Sequence, residues 1–99
     1  MSIASDYIWF DGSLVPYGEA NVHVLTHTLH YGMGAFEGIR AYEQPNGQPG
    51  IWRLREHIQR LMHTAKMLRM PTPFDIATVE GACLEVLKAN KFSNAYLRP

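Results

Sequence analysis

The chain has little of what marks several common protein classes. Cys83 is the single cysteine in 99 residues, so no internal disulfide can form and nothing points to an oxidising compartment. Nine Lys and Arg balance nine Asp and Glu, with no run of like charge. The missing basic stripe argues against a nucleic-acid partner and against a charged membrane surface. No apolar run approaches the roughly 20 residues of a membrane-spanning helix. The opening "MSIASDYIWF" lacks the basic n-region and long apolar core of a secretory signal. A soluble cytoplasmic protein is therefore expected. Also missing are a glycine-rich phosphate loop, a nucleophile elbow, a Ser-His-Asp order, internal repeats and low-complexity segments.

What remains is a chain that is 46% hydrophobic, enough for one small domain with a core. In "YIWFDGSLVP", aromatic and β-branched residues flank Asp11-Gly12, a dipeptide that tolerates the positive φ angles of a type I′ hairpin turn. A second strand-like run, "AFEGIRAYE", leads through the turn-forming "QPNGQPG" into "GIWRL", which predicts another hairpin.

The periodicity then changes. Leu54, Ile58, Leu61, Ala65 and Leu68 recur at spacings of four, three, four and three, which predicts an amphipathic helix ended by "MPTP". Thr72 is the expected cap of a second helix, with Pro73 at its first position and Asp75 three residues after the cap. Ile76, Val79, Cys83, Val86 and Leu87 form its apolar stripe, which makes Cys83 a small buried hydrophobe. "SNAYLRP" returns to strand chemistry. The expected fold class is α+β: an antiparallel sheet with two helices packed on one face. Because "AYLRP" reads as a strand entering a larger structure, residues 1–99 are expected to be one small N-terminal domain of a longer protein.

Few residues offer chemistry by pattern alone. In a strand through residues 35–42, Phe36, Gly38, Arg40 and Tyr42 share one face, and Ala35, Glu37, Ile39 and Ala41 the other. The first face combines an aromatic wall, a gap and a cation, and a small acid could lie over the bare backbone of Gly38. A bulge with Phe36 in the core is the plainer reading, and pattern alone favours it. Arg60 lies about 100° round the helix from Leu61, where its guanidinium can reach an anion; pattern alone favours an i,i+4 pair with Glu56. Tyr96 and Arg98 alternate with Leu97, so they fit a carboxylate clamp or a solvated edge strand equally well. His23, His27 and His30 have spacings that one helical face could offer to zinc, but no cysteine or acidic residue completes a set. Packing or hydrogen-bonding roles are favoured for them, and no metal site is expected.

Taken together, "YIWFDGSLVP", "HYGMGAFEGIRAY", "LREHIQRL" and "AYLRP" closely resemble the start of bacterial branched-chain amino-acid aminotransferases. These are fold type IV enzymes that use pyridoxal phosphate. The resemblance runs from about Tyr7 to Pro99, and "FEGIR" with "REHxxRL" is its more specific part. It implies that Arg60 binds the cofactor phosphate. It likewise implies that Phe36 and Gly38 line the substrate side-chain pocket, that Tyr31 helps build that pocket partly across a dimer interface, and that Tyr96 and Arg98 handle substrate carboxylates. The substrates implied are leucine, isoleucine or valine in one half-reaction and glutamate in the other, with their 2-oxo acids, in a homo-oligomer.

The family's catalytic lysine lies beyond position 99, and Lys66, Lys88 and Lys91, on predicted helices, do not match its motif. No catalytic residue is therefore expected in this chain, which by itself should be inert and should need a larger C-terminal domain. Two alternatives stay open: a D-amino-acid aminotransferase or pyridoxal-phosphate lyase of the same fold, and a non-catalytic module binding a small molecule or protein.

Overall fold

The computed structural model describes residues 5–99. Residues 1–4, part of the opening stretch tested above for a signal, lie outside the described residues. The first hairpin forms as the Asp11-Gly12 turn requires. Strands β1 (Tyr7–Phe10) and β2 (Ser13–Pro16) pair antiparallel with Phe10 opposite Ser13. Asp11 and Gly12 take φ of 50° and 100°, the left-handed region of a primed turn. A 3-10 turn follows at Tyr17–Glu19, and then a short helix α1, His27–Tyr31, ended by Gly32 at φ 64°.

The second hairpin joins β3 (Ile39–Glu43) to β4 (Pro49–Ile51), and the late strand β5 (Ala95–Leu97) lies on the other side of β3. All pairings are antiparallel, with Ala41 opposite both Ile51 and Ala95, and Ile39 opposite Leu97. Helices α2 (Leu54–Met67) and α3 (Ile76–Asn90) pack on one face of this sheet. The core holds Ile39, Ala41 and Leu97 from the sheet, Ile58 from α2, and Cys83 and Leu87 from α3. Burial raises the Cys83 thiol pKa to about 11, with the nearby Glu80 charge adding to the rise, so Cys83 behaves as the hydrophobe its stripe predicts.

Several details differ from the expectations. The strands divide into two sheets, a two-stranded β1-β2 hairpin and a β4-β3-β5 sheet. Asn90, the last residue of α3, occupies the start of the free edge of β1. Its Oδ1 accepts from the backbone N–H groups of Asp6 and Tyr7, and its Nδ2 donates to the Tyr7 carbonyl. One amide thus fills edge positions of β1 that another strand would need.

The cap of α3 is Asp75, not Thr72. Asp75 Oδ1 accepts from the Thr78 N–H at 2.8 Å, which holds the Asp75 carboxyl below its usual pKa. Thr72 instead accepts from the Phe74 N–H, and Pro73 precedes the helix. Phe74 sets its ring edge-on to Trp9 of the hairpin at 5.1 Å, so residues 72–74 serve as a bridge to β1. Helix α2 ends at Met67, and Leu68 is its C-cap, 42% exposed. Lys91 caps α3 at φ 57°, just outside the helix.

Candidate functional site

From residue 36 to 42 the chain alternates strictly. Glu37, Ile39 and Ala41 are buried, whereas Phe36, Arg40 and Tyr42 are exposed and Gly38 is half-buried. The two faces therefore fall as the period of two predicts. The ladder itself begins only at Ile39, four residues later than expected. Ahead of it, the Glu37 N–H donates to the Pro99 carbonyl at 3.1 Å, which keeps the chain extended. Phe36 is 59% exposed, so the bulge with a core phenylalanine is not what forms.

On the outer face the sequence candidates converge. Arg40 lies directly across the ladder from Tyr96, its guanidinium carbon 5.3 Å from the ring centroid. Arg98 lies over the Phe36 ring at 4.2 Å. Both contacts suit a cation against an aromatic face. The Tyr96 hydroxyl occupies the space above Gly38, where any Cβ would collide with it and come within 3.1 Å of its ring carbon Cζ. The gap at Gly38 is thus taken up by Tyr96, rather than left as open clearance for a ligand. Phe36, Gly38, Arg40, Tyr96 and Arg98 form one surface, with Tyr42 further along β3. Arg40 belongs to this cluster by alternation, although it carried no assigned role from the resemblance.

Arg60 sits elsewhere, behind the sheet on α2. Its partner is Glu37, not Glu56. Nε donates to Oε2 and Nη2 to Oε1, each at 2.8 Å, while Glu56 meets Arg53 at 3.4 Å. His57 Nδ1 joins Glu37 Oε1 at 2.9 Å. The Arg60 guanidinium and then the His57 ring hold the Glu37 carboxyl down at about 2, against the burial that pushes it up. Glu37 in turn raises the Arg60 pKa. Nothing local in the sequence links positions 37 and 60; the only available signal was the alternation that points Glu37 inward.

Tyr31 is not brought to the outer-face cluster. It is 77% exposed, with its ring against His27 and His30 of its own short helix. His30 Nε2 meets the Val24 carbonyl at 2.7 Å, and His23 Nδ1 accepts from the Leu25 N–H at 3.0 Å. These histidines make local hydrogen bonds, and no cluster of three or more potential metal ligands occurs among the described residues. Lys66, Lys88 and Lys91 are all exposed on or beside the helices, away from the outer sheet face.

Residues 34–99 match the family described as amino-transferase class IV. The chain belongs to this family. Over 95 residues it is 46% identical to the branched-chain-amino-acid aminotransferase of Escherichia coli strain K12, covering 96% of this chain and 30% of that protein. It is similar to a solved T.th. branched-chain amino acid aminotransferase in complex with N-(5'-phosphopyridoxyl)-L-glutamate, with TM-score 0.94 and 45% identity over 98% of this chain and 33% of the other. The same T.th. enzyme in complex with 4-methylvaleric acid gives TM-score 0.94 and 45% identity, over 98% and 32% of the two chains. This class IV aminotransferase chain thus spans about a third of the length of the relatives it matches, and its fold is that of their corresponding portion. Among its described residues no helix is long and apolar enough to cross a membrane.

Proposed function

We propose that the chain is the N-terminal domain of a longer, cytoplasmic, homo-oligomeric enzyme. That enzyme exchanges amino groups between branched-chain amino acids and 2-oxoglutarate with pyridoxal phosphate. The observation that carries the reading is the outer face itself: an aromatic wall (Phe36) directly under a guanidinium (Arg98), beside a tyrosine seated over Gly38. An aliphatic side chain can rest on Phe36. A side-chain carboxylate needs a cation, because a buried unpaired charge is costly, and Arg98 supplies one. The two T.th. complexes, one with a glutamate adduct and one with a branched aliphatic acid, support this double duty.

The residues present fit the phosphate end of the cofactor. Arg60 offers a guanidinium whose Nε and Nη2 are engaged by Glu37 while its side chain stays 67% exposed, leaving the Nη1 edge for phosphate oxygens. The Glu37–Arg60 pair has little net charge, so a phosphate dianion needs further donors beside Arg60. Pyridoxal phosphate when bound supplies the electron sink for the chemistry at the substrate's α-carbon. Among the described residues no lysine stands on the outer face, so the group that would tether the cofactor and move the proton is not among them.

An apolar groove of about 1030 Å³, lined by residues including Trp9, Val79, Val86, Leu97 and Pro99, runs between the hairpin and α3 and reaches Tyr96 and Arg98. It is of the kind a neighbouring domain covers, and it supports the two-domain reading.

The test uses the full-length protein loaded with pyridoxal phosphate, following cofactor absorbance as L-leucine, L-glutamate or D-alanine is added. Both L-amino acids should change the spectrum and D-alanine should not. Arg98→Met should lower kcat/KM for glutamate roughly 100-fold to 1,000-fold, the cost of leaving a buried carboxylate unpaired, and leave leucine nearly untouched. A response to D-alanine alone would end the branched-chain reading and leave the D-amino-acid enzyme in its place.

A further inference from the structure

We propose that Glu37, backed by His57, is a positioning residue that sets the Arg60 guanidinium for a phosphate and ties it to the strand bearing the substrate face. The inference rests on the reading of Arg60 as the arginine that meets the cofactor phosphate.

Glu37 is the one buried charged side chain among the described residues, 6% exposed. Burying a carboxylate is costly, and an apolar residue of similar volume at such a place is often neutral or stabilising. The fold by itself therefore gives little reason for an acid there. What the acid does is hold a donor set. Both its oxygens are taken, Oε2 by Arg60 Nε, and Oε1 by Arg60 Nη2 and His57 Nδ1.

His57 and Arg60 are three residues apart on α2, which brings them to one side of the helix. The bidentate contact fixes the plane of a guanidinium that is otherwise mostly in solvent, on a long side chain that is free to rotate without it. Glu37 also lies between Phe36 and Gly38 and points to the opposite side of the chain. One carboxylate thereby couples the helix cation to the outer-face residues on either side of it.

The sign of one substitution separates positioning from simple charge. Counted as charge alone, a carboxylate beside a phosphate opposes binding, so Glu37→Gln should tighten it. Positioning demands the reverse, because glutamine keeps the shape but turns an amide N–H₂ toward one of the arginine's N–H groups.

The experiment measures dissociation constants of pyridoxal phosphate and of pyridoxal, which lacks the phosphate, for the full-length protein. The variants are Glu37→Gln, Arg60→Met, the double variant and His57→Gln. Glu37→Gln should weaken pyridoxal phosphate on the order of tenfold, the usual effect of losing a residue that orients a binding group, with pyridoxal unchanged. The double variant should bind pyridoxal phosphate no more weakly than Arg60→Met alone, since the two residues act as one unit.

Tighter or unchanged pyridoxal phosphate binding by Glu37→Gln overturns the inference, as does an equal loss for both ligands. If Glu37→Gln fails to fold, His57→Gln decides. A smaller loss confined to pyridoxal phosphate supports the positioning role, and a loss shared by both ligands, or none, overturns it. If Arg60→Met loses no preference for the phosphorylated ligand, the phosphate role of Arg60 falls and this inference with it. If Arg60→Met loses that preference and Glu37→Gln keeps it, the positioning role alone is wrong.

Discussion

The two faces of the β4-β3-β5 sheet are made by alternate residues of the same strands, yet they do opposite things. The inner face, Ile39, Ala41 and Leu97, is closed against Ile58, Cys83 and Leu87. On the outer face the side chains of Phe36, Arg40, Tyr42 and Tyr96 are all exposed, and two arginines stack on two aromatic rings. Only the inner face removes large apolar side chains from water, so it carries the stability. The outer face keeps its aromatic rings and guanidinium groups uncovered, where the proposed function needs them. Glu37 breaks the pattern, as a charge on the inner side whose pairing with Arg60 and His57 makes its burial tolerable.

The largest effect that would test this division is Ile39→Ala, expected to cost about 2–5 kcal/mol in chemical unfolding because the cavity cannot collapse. The neighbouring outer-face change Phe36→Ala should stay within about 0.5 kcal/mol. Equal costs for the two would show that the faces do not divide stability from recognition.

The Glu37 exception can be tested by acid. Its carboxyl titrates at about 2 in the folded chain against an ordinary value of 4.5, so between those values the unfolded chain binds more protons. The pair's stabilisation is therefore complete above about pH 4.5 and is lost as pH falls toward 2. Unfolding midpoints measured across that window should drop less steeply for Glu37→Gln than for the parent. An unchanged slope would mean that other carboxylates govern acid stability.

A smaller effect is expected at the seam of the outer face. Gly38→Ala places a methyl on the Tyr96 hydroxyl, and because that ring is 53% exposed and can swing aside, the cost should be no more than about 1 kcal/mol. Adding Tyr96→Phe, which removes that oxygen, should restore part of the loss. If it restores none, the glycine is needed for backbone reasons instead.

Much of this arrangement was legible in the order of residues. Asp11-Gly12 announced the first turn, the period of two assigned both faces of residues 36–42, and the spacing from Leu54 to Ala65 marked α2. What was misread lay wherever two local signals competed or a partner was far along the chain. Thr72 and Asp75 are both good caps, and the docking of Phe74 on Trp9 left the role to Asp75. Glu56 stands one turn from Arg60, yet the bond goes to Glu37, 23 residues away. Asn90 gave no sign that its amide would close the edge of β1.

The sequence by itself determined the two hairpins, the two long helices, the side of the strand on which each residue falls and, through its motifs, the family, because these depend on periodicity and on residues near one another along the chain. Tertiary structure alone decided that Tyr96 fills the space over Gly38, that Arg98 covers Phe36 and that Glu37 holds Arg60. Each joins residues distant along the chain, and which partner a side chain meets depends on how the helices and strands pack.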